Sequence, residues 1–204
     1  MIACGKHTDQ DTWNRIGRPV MTDDRKSEQE NRIERDIQEY GGPVLRSGIW
    51  DRAMRQTHHN RWTVGSHSMS VCVAALRMSY WLEDKHICYV NHREIVQAAL
   101  CHDLGIVGRY EKYANNRVCC HQHPLDSAEI ARQIYPEISE KTLYTIRCHM
   151  WPLCVALPKT REAVIITLAD KYVATGEGIP ADWLERYQKA LNATVLRTTA
   201  TARN

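Results

Sequence analysis

Apolar residues recur along this chain at intervals of three and four, the spacing of a helix face, and alternating strand-like runs are scarce. The densest stretch is 64–82, where Val64, Met69, Val71, Cys72, Ala75, Leu76, Ser79 and Tyr80 spread over more than one side and predict a buried central helix. Asn91 is placed to N-cap the next helix, which carries Ile95, Val96, Ala99 and Leu100 and is expected to end near Gly105. Upstream, the charged stretch 28–40 predicts a surface helix stopped by Gly41-Gly42-Pro43, and a second helix follows over 44–56. Downstream, Pro124 suits the first turn of a helix reaching Tyr135, and Pro136 starts another near Glu137 that runs to His149. A strongly apolar helix covers 159–174, and Pro180 opens a last one with the stripe Trp183, Leu184, Tyr187 and Leu191. The pattern predicts an all-α fold, a compact bundle of about seven to eight helices.

Between these elements, 106–122 reads as the longest internal loop, with Gly108, Asn115-Asn116 and the cluster Cys119-Cys120-His121, and long loops in compact domains often carry function. Residues 1–27 are polar and without period, which predicts a flexible arm. The domain is then expected over 28–195, with a tail at 196–204. A chain of 204 residues suffices for one such domain with a sizeable core.

Composition narrows the class. The net charge of +3 is small and its Lys and Arg are scattered, so nucleic-acid binding has no support. No window reaches the roughly 18 to 20 consecutive apolar residues of a membrane span, and the N-terminus has no signal-type apolar core. The eight cysteines are spread out and several sit in helical stretches, so they read as reduced and mostly buried thiols, and the expected location is cytoplasmic. Phe is absent, which leaves Trp, Tyr, Leu and Met to supply bulky core volume.

Chemistry enters with Ala99-Leu100-Cys101-His102-Asp103-Leu104-Gly105, where an adjacent His and Asp close an apolar run. An unpaired buried carboxylate costs several kcal/mol, and a metal is one of the few partners that offset it; the alternative is a helix-terminal His beside an exposed Asp. Asp170 closes another apolar run, with a salt bridge to Lys171 or an Arg as its alternative. His67 on the central helix and His149 at a helix end each also read as ordinary hydrogen-bonded histidines. Cys119, Cys120 and His123 fit no paired C-x-x-C zinc spacing. Cys101 and Cys148 point about 100° away from the histidines that follow them, so no cysteine is assigned to the site. His58-His59 precede Arg61 near the start of the central helix, while His7, His86 and His92 look like surface residues.

The order His67, then His102-Asp103, then Asp170, with helices before, between and after, resembles the HD-domain superfamily of metal-dependent phosphohydrolases. The likeness extends from about Ile33 to Tyr187, and the stretches His149-Met150-Trp151-Pro152-Leu153 and Leu168-Ala169-Asp170-Lys171 resemble a bacterial branch of it. The resemblance implies that His67, His102, Asp103 and Asp170 hold one divalent transition metal (Fe, Mn, Zn, Co or Ni). Two-metal members add two histidines, for which His123 and His149 stand in the right order, and His123 is preferred to His121 because it directly precedes Pro124. Asp103 could then bridge ions about 3.5 to 4 Å apart, with a metal-activated hydroxide attacking phosphorus.

Arg61, Arg109, Lys112 and Lys171 are candidates to bind the phosphate, with Arg61 and Lys171 also counted with Asp103 in the catalytic set. Some HD nucleotidases carry a Glu soon after the His-Asp pair; Leu104-Gly105-Ile106-Val107-Gly108 supplies none, so the general acid is unassigned. The expected function is hydrolysis of a phosphoester of a nucleotide or other small phosphorylated metabolite, by a protein without membrane or nucleic-acid partners and with homo-oligomer formation left open. The rivals are a di-iron oxygenase on the same ligands and a catalytically silent nucleotide-binding regulatory module.

Overall fold

The computed structural model describes residues 23–58, 62–154 and 156–177. Among them are eight α-helices: α1 (Asp23–Leu45), α2 (Gly48–Arg55), α3 (Val64–Asp84), α4 (His92–Cys101), α5 (Arg109–Lys112), α6 (Asn116–Ile134), α7 (Glu140–Cys148) and α8 (Arg161–Tyr172). A 3-10 turn follows α4 at Leu104–Ile106, and a π-helical turn at Val173–Glu177 follows α8. The fold is all-α, as the periodicity predicts, apart from a ladder of two-residue antiparallel strands, β1 (Thr57–His58) and β2 (Trp62–Thr63). The helix expected from Pro180, the tail, and the arm up to residue 22 lie outside the described residues; positions 23–27 of the expected arm are helical.

α3 is the centre of the bundle and packs against α1, α2, α4 and α8. Its start is fixed by a capping box: the Thr63 hydroxyl accepts from the Ser66 amide at 3.1 Å, and the Ser66 hydroxyl accepts from the Thr63 amide at 2.8 Å. Every residue from Val64 to Leu76 is buried. The Asn91 cap of α4 forms as expected, its side chain accepting from the Glu94 amide. Bulky volume in the core comes mainly from Ile, Leu and Val; of the tryptophans expected to fill it, Trp50 is buried whereas Trp81 and Trp151 are exposed.

Three expectations fail at prolines. α1 runs through Gly41-Gly42-Pro43 to Leu45 instead of stopping at the glycines. Gly41 serves close packing: a Cβ there would lie 2.7 Å from Leu100 Cδ1 of α4. Pro43 falls in the last turn, where one lost backbone bond is tolerated, and Tyr135 donates to the Tyr40 carbonyl nearby at 3.0 Å. α6 likewise starts at Asn116, capped by Asn115, and carries Pro124 inside it. The expected loop 106–122 is therefore mostly ordered: part of the 3-10 turn, α5 and the first two turns of α6. α7 begins at Glu140 behind a Ser139 cap, three residues later than Pro136 indicates.

His92 is a further correction, because it is not an ordinary surface residue. It bridges two carboxylates, with Nδ1 2.9 Å from Asp36 Oδ2 of α1 and Nε2 2.9 Å from Glu83 Oε1 of α3, while Tyr80 donates to the same Asp36 oxygen at 2.5 Å. Burial opposes charge on His92, but the Asp36 hydrogen bond and the charges of Glu83 and Asp36 outweigh it and hold the pKa above its usual 6.5. A raised folded pKa stabilises the fold fully below pH 6.5, and that contribution is lost as pH rises through the folded value. Chemical denaturation of His92→Gln should show a loss of about 1–3 kcal/mol at pH 6 relative to wild type, with the gap narrowing above pH 7; a pH-independent gap would exclude the ion-pair account.

Candidate metal centre

Five helices and the β ladder bring seven side chains to one buried point. His67 lies on α3 four residues beyond the Thr63 cap, Asp170 on α8 and His123 on α6, while His102 and His149 are the C-cap residues of α4 and α7. Asp103 follows His102 at the mouth of the 3-10 turn. His58, from β1, joins them. All seven are buried, His102 completely. Two helices thus end here, and the partial negative charge of a helix C-terminus favours a cation.

Backbone carbonyls decide how three of the imidazoles are protonated. His102 Nδ1 lies 2.7 Å from the Ala99 carbonyl, His123 Nδ1 2.8 Å from that of Cys119, and His149 Nδ1 2.7 Å from that of Ile146. A carbonyl only accepts, so each Nδ1 carries the proton and each Nε2 of the neutral ring presents a lone pair inward. His102 Nε2 has no hydrogen-bond partner, and His123 Nε2 and His149 Nε2 face one another at 3.1 Å. Two lone pairs at that distance repel, and a shared cation removes the conflict.

Asp103 sits between two sets of rings. Its Oδ1 is 3.3 Å from His123 Nε2 and 3.4 Å from His149 Nε2; its Oδ2 is 3.6, 3.7 and 3.5 Å from the Nε2 atoms of His58, His67 and His102. Asp170 Oδ1 lies 3.1 Å from His67 Nε2 and 3.8 Å from His102 Nε2. Most of these separations exceed a normal N–H···O bond. They match neighbouring ligands on one ion, which for bonds of about 2.1 Å are roughly 3.0 Å apart at right angles and 3.4 Å apart at tetrahedral angles. The donor atoms of His58, His67 and Asp103, of His67, His102 and Asp170, and of His102, Asp103 and His149 form groups that could each hold a metal ion.

The electrostatics suit a cation. Burial pushes the His102 pKa down to about 4, keeping the ring neutral. Burial also opposes ionisation of Asp103 and Asp170, but the neighbouring imidazoles outweigh it and hold both carboxyls below the ordinary range. For His67 the balance goes the other way: burial favours the neutral ring, yet the Asp170 hydrogen bond and the charges of Asp103 and Asp170 raise its pKa. An incoming metal would compete with that proton.

A cavity of about 600 Å³ opens onto the cluster, lined by His58, Asp103, His123, Asp170, Arg109 and Lys171 among others. Lys171 Nζ donates to Asp170 Oδ2 at 2.8 Å and to the His149 carbonyl at 3.2 Å, so the salt bridge considered for Asp170 exists, on the oxygen turned away from His67. Lys112 is exposed and does not line the cavity; its Nζ reaches the Gly105 carbonyl at 3.4 Å. Arg61 lies outside the described residues. His121 is exposed on α6 while His123 is buried at the cluster. Cys119 and Cys120, set aside at the sequence level, line the cavity wall. Among the described residues all cysteines are free thiols, with Cys72, Cys101, Cys119 and Cys148 buried.

A family model for the HD domain matches residues 64–175, more than half of the 204-residue chain, and the chain belongs to the HD-domain family. HD domains are in general metal-dependent phosphohydrolases. The matched range includes His67, His102, Asp103, His123, His149 and Asp170; His58 precedes it. No curated protein and no solved structure matches the chain.

The glycine after the His-Asp pair has a geometric reason. A Cβ on Gly105 would lie 2.3 Å from the His123 carbonyl oxygen and 2.9 Å from the Ser127 amide, both backbone atoms of α6, and the Gly105 amide donates to Ser127 Oγ at 2.8 Å. Gly105→Ala must therefore displace α6 and His123 with it. Thermal unfolding should register a loss of about 1–3 kcal/mol, together with weaker metal binding, whereas Gly48→Ala, with nothing within 4 Å of its Cβ, should stay within about 0.5 kcal/mol of wild type. Equal behaviour of the two variants would refute the close-contact role of Gly105.

Proposed function

We infer that the chain is a metal-dependent phosphohydrolase that cleaves a phosphoester of a nucleotide or other small phosphorylated metabolite. The observation that carries this reading is the placement of the His/Asp cluster at the floor of a cavity whose wall carries Arg109 and Lys171. One or two divalent transition metals held there would polarise phosphate oxygens, lower the pKa of a bound water toward neutrality and leave more positive charge than Asp103 and Asp170 cancel.

The chain's own residues prepare the rest. Asp103 presents one oxygen to each set of imidazoles, which suits a bridging carboxylate. Lys171 occupies the second Asp170 oxygen and so turns the first toward His67 and His102. Arg109 stands with its guanidinium 4.8 Å from the Tyr110 ring centre and weakly bonded to Asn116 at 3.5 Å, which leaves its planar fork for a phosphate. Tyr110 is strongly exposed and lines the same cavity, so it offers a stacking face to a base or other flat group. Burial of Leu104, Gly105 and Ile106 excludes water from beneath the Asp103 turn. Glu111 is exposed and does not line the cavity, so the leaving-group proton is not assigned to it.

Hydrolysis of a panel of nucleotides and p-nitrophenyl phosphate, read as phosphate release, and of bis-p-nitrophenyl phosphate, read as p-nitrophenol release, in Mn2+ and in Fe2+, tests the reading. His102→Ala and Asp103→Ala should each lower turnover by about 100-fold or more. Wild-type turnover in either variant, or oxygen uptake by the iron-loaded protein without phosphate release, would overturn it.

A further inference from the structure

We propose that His58 is a seventh protein ligand of this centre, on the Oδ2 side of Asp103. The inference rests on reading the cluster as a metal centre and concerns a residue ahead of the range that matches the HD domain.

Position comes first. His58 is buried, and its strand is fastened on three sides. The ladder pairs His58 with Trp62 and Thr57 with Thr63, the residue that caps α3. The Val64 amide donates to the Gln56 carbonyl at 2.9 Å, tying the strand to the helix that carries His67. The Gln56 side chain then joins the strand to the turn after Asp103: its Nε2 donates to the Ile106 carbonyl at 2.9 Å, and its Oε1 accepts from the Gly108 amide at 2.7 Å. A ring held so firmly beside the His-Asp turn costs conformational entropy that a ligand role recovers.

Distance comes second. His58 Nε2 is 3.6 Å from Asp103 Oδ2, between the 3.5 Å of His102 and the 3.7 Å of His67 to the same oxygen. The donor atoms of His58, His67 and Asp103 all lie within 4.8 Å of one another, close enough to share an ion. A separation of 3.6 Å is longer than a normal hydrogen bond.

The consequence is an unequal centre. The Oδ2 side of Asp103 then carries more donors than the Oδ1 side: His58, His67 and His102 face Oδ2, with Asp170 Oδ1 3.1 Å from His67 Nε2, whereas His123 and His149 face Oδ1. The side richer in donors would hold its ion more tightly, whereas the side with fewer leaves room for water and substrate.

Cobalt(II) binding to the purified full chain tests this without reference to turnover. By equilibrium dialysis, His58→Ala and the better volume match His58→Gln should weaken one of two bound ions by about tenfold or more and alter its visible absorption, while the exposed control His86→Ala should not; far-UV circular dichroism verifies that the variants are folded. The wild type supplies a variant-free reading, because each ligating imidazole contributes one exchangeable Nδ1–H resonance shifted by the paramagnetic ion: five are expected with His58, four without it. Four resonances, or wild-type cobalt affinity in both folded His58 variants, overturn the proposal, and so does a wild type that binds no ion, which removes the centre as well. Two bound ions with five shifted resonances but no phosphate release uphold the His58 ligand and overturn only the phosphohydrolase reading.

Discussion

The carbonyls of Ala99, Cys119 and Ile146 each accept a hydrogen bond from the Nδ1 of a histidine three or four residues later, and the rest of the centre follows from those bonds. They fix the tautomer, so His102, His123 and His149 have only lone pairs to offer inward. They also fix ring orientation, because each carbonyl belongs to the last turns of a helix or to a helix interior held by the bundle. While both rings are neutral, the 3.1 Å contact between His123 and His149 becomes a hydrogen bond only if one of them gives up its backbone bond.

Around that constraint, the fold supplies negative charge and rigidity. α4 and α7 both end at the cluster, so their C-terminal dipoles and the carboxylates of Asp103 and Asp170 point to the same place. Asp103 would be costly to bury alone, and its two oxygens, each facing a different group of imidazoles, make it the hinge between the two halves of the site. Gly105 lets the turn after it lie directly on α6, which sets how far His123 stands from Asp103. Structure and chemistry meet at that turn: the seven-residue stretch 99–105 ends a core helix, carries the central carboxylate and seats the neighbouring helix.

Much of this was legible in the sequence. The broad apolar face of α3 and the Asn91 cap are local signals, and local signals survive folding. The order of His67, His102-Asp103, His123, His149 and Asp170 was readable through its resemblance to the HD-domain superfamily, although the helix that carries His123 was not. What was hidden depended on contacts between elements. Pro43 and Pro124 look like helix limits in isolation, yet packing of α1 on α4 and the Asn115 cap of α6 override them. His92 reads as a surface residue until Asp36 and Glu83 converge on it from two other helices. His58 sits in a strand of two residues, too short for alternation to show, and its bearing on the cluster comes from Gln56 reaching across to Ile106 and Gly108.

The central claim is that inward-facing Nε2 lone pairs and Asp103 exist to hold cations. Crystals grown with Mn2+, with anomalous differences collected at the manganese edge, test it most directly. The account requires an anomalous peak within about 2.3 Å of His123 Nε2, His149 Nε2 and Asp103 Oδ1, with a second beside Asp103 Oδ2. A map with no peak at the cluster, and with His123 and His149 joined by a hydrogen bond instead, would contradict it.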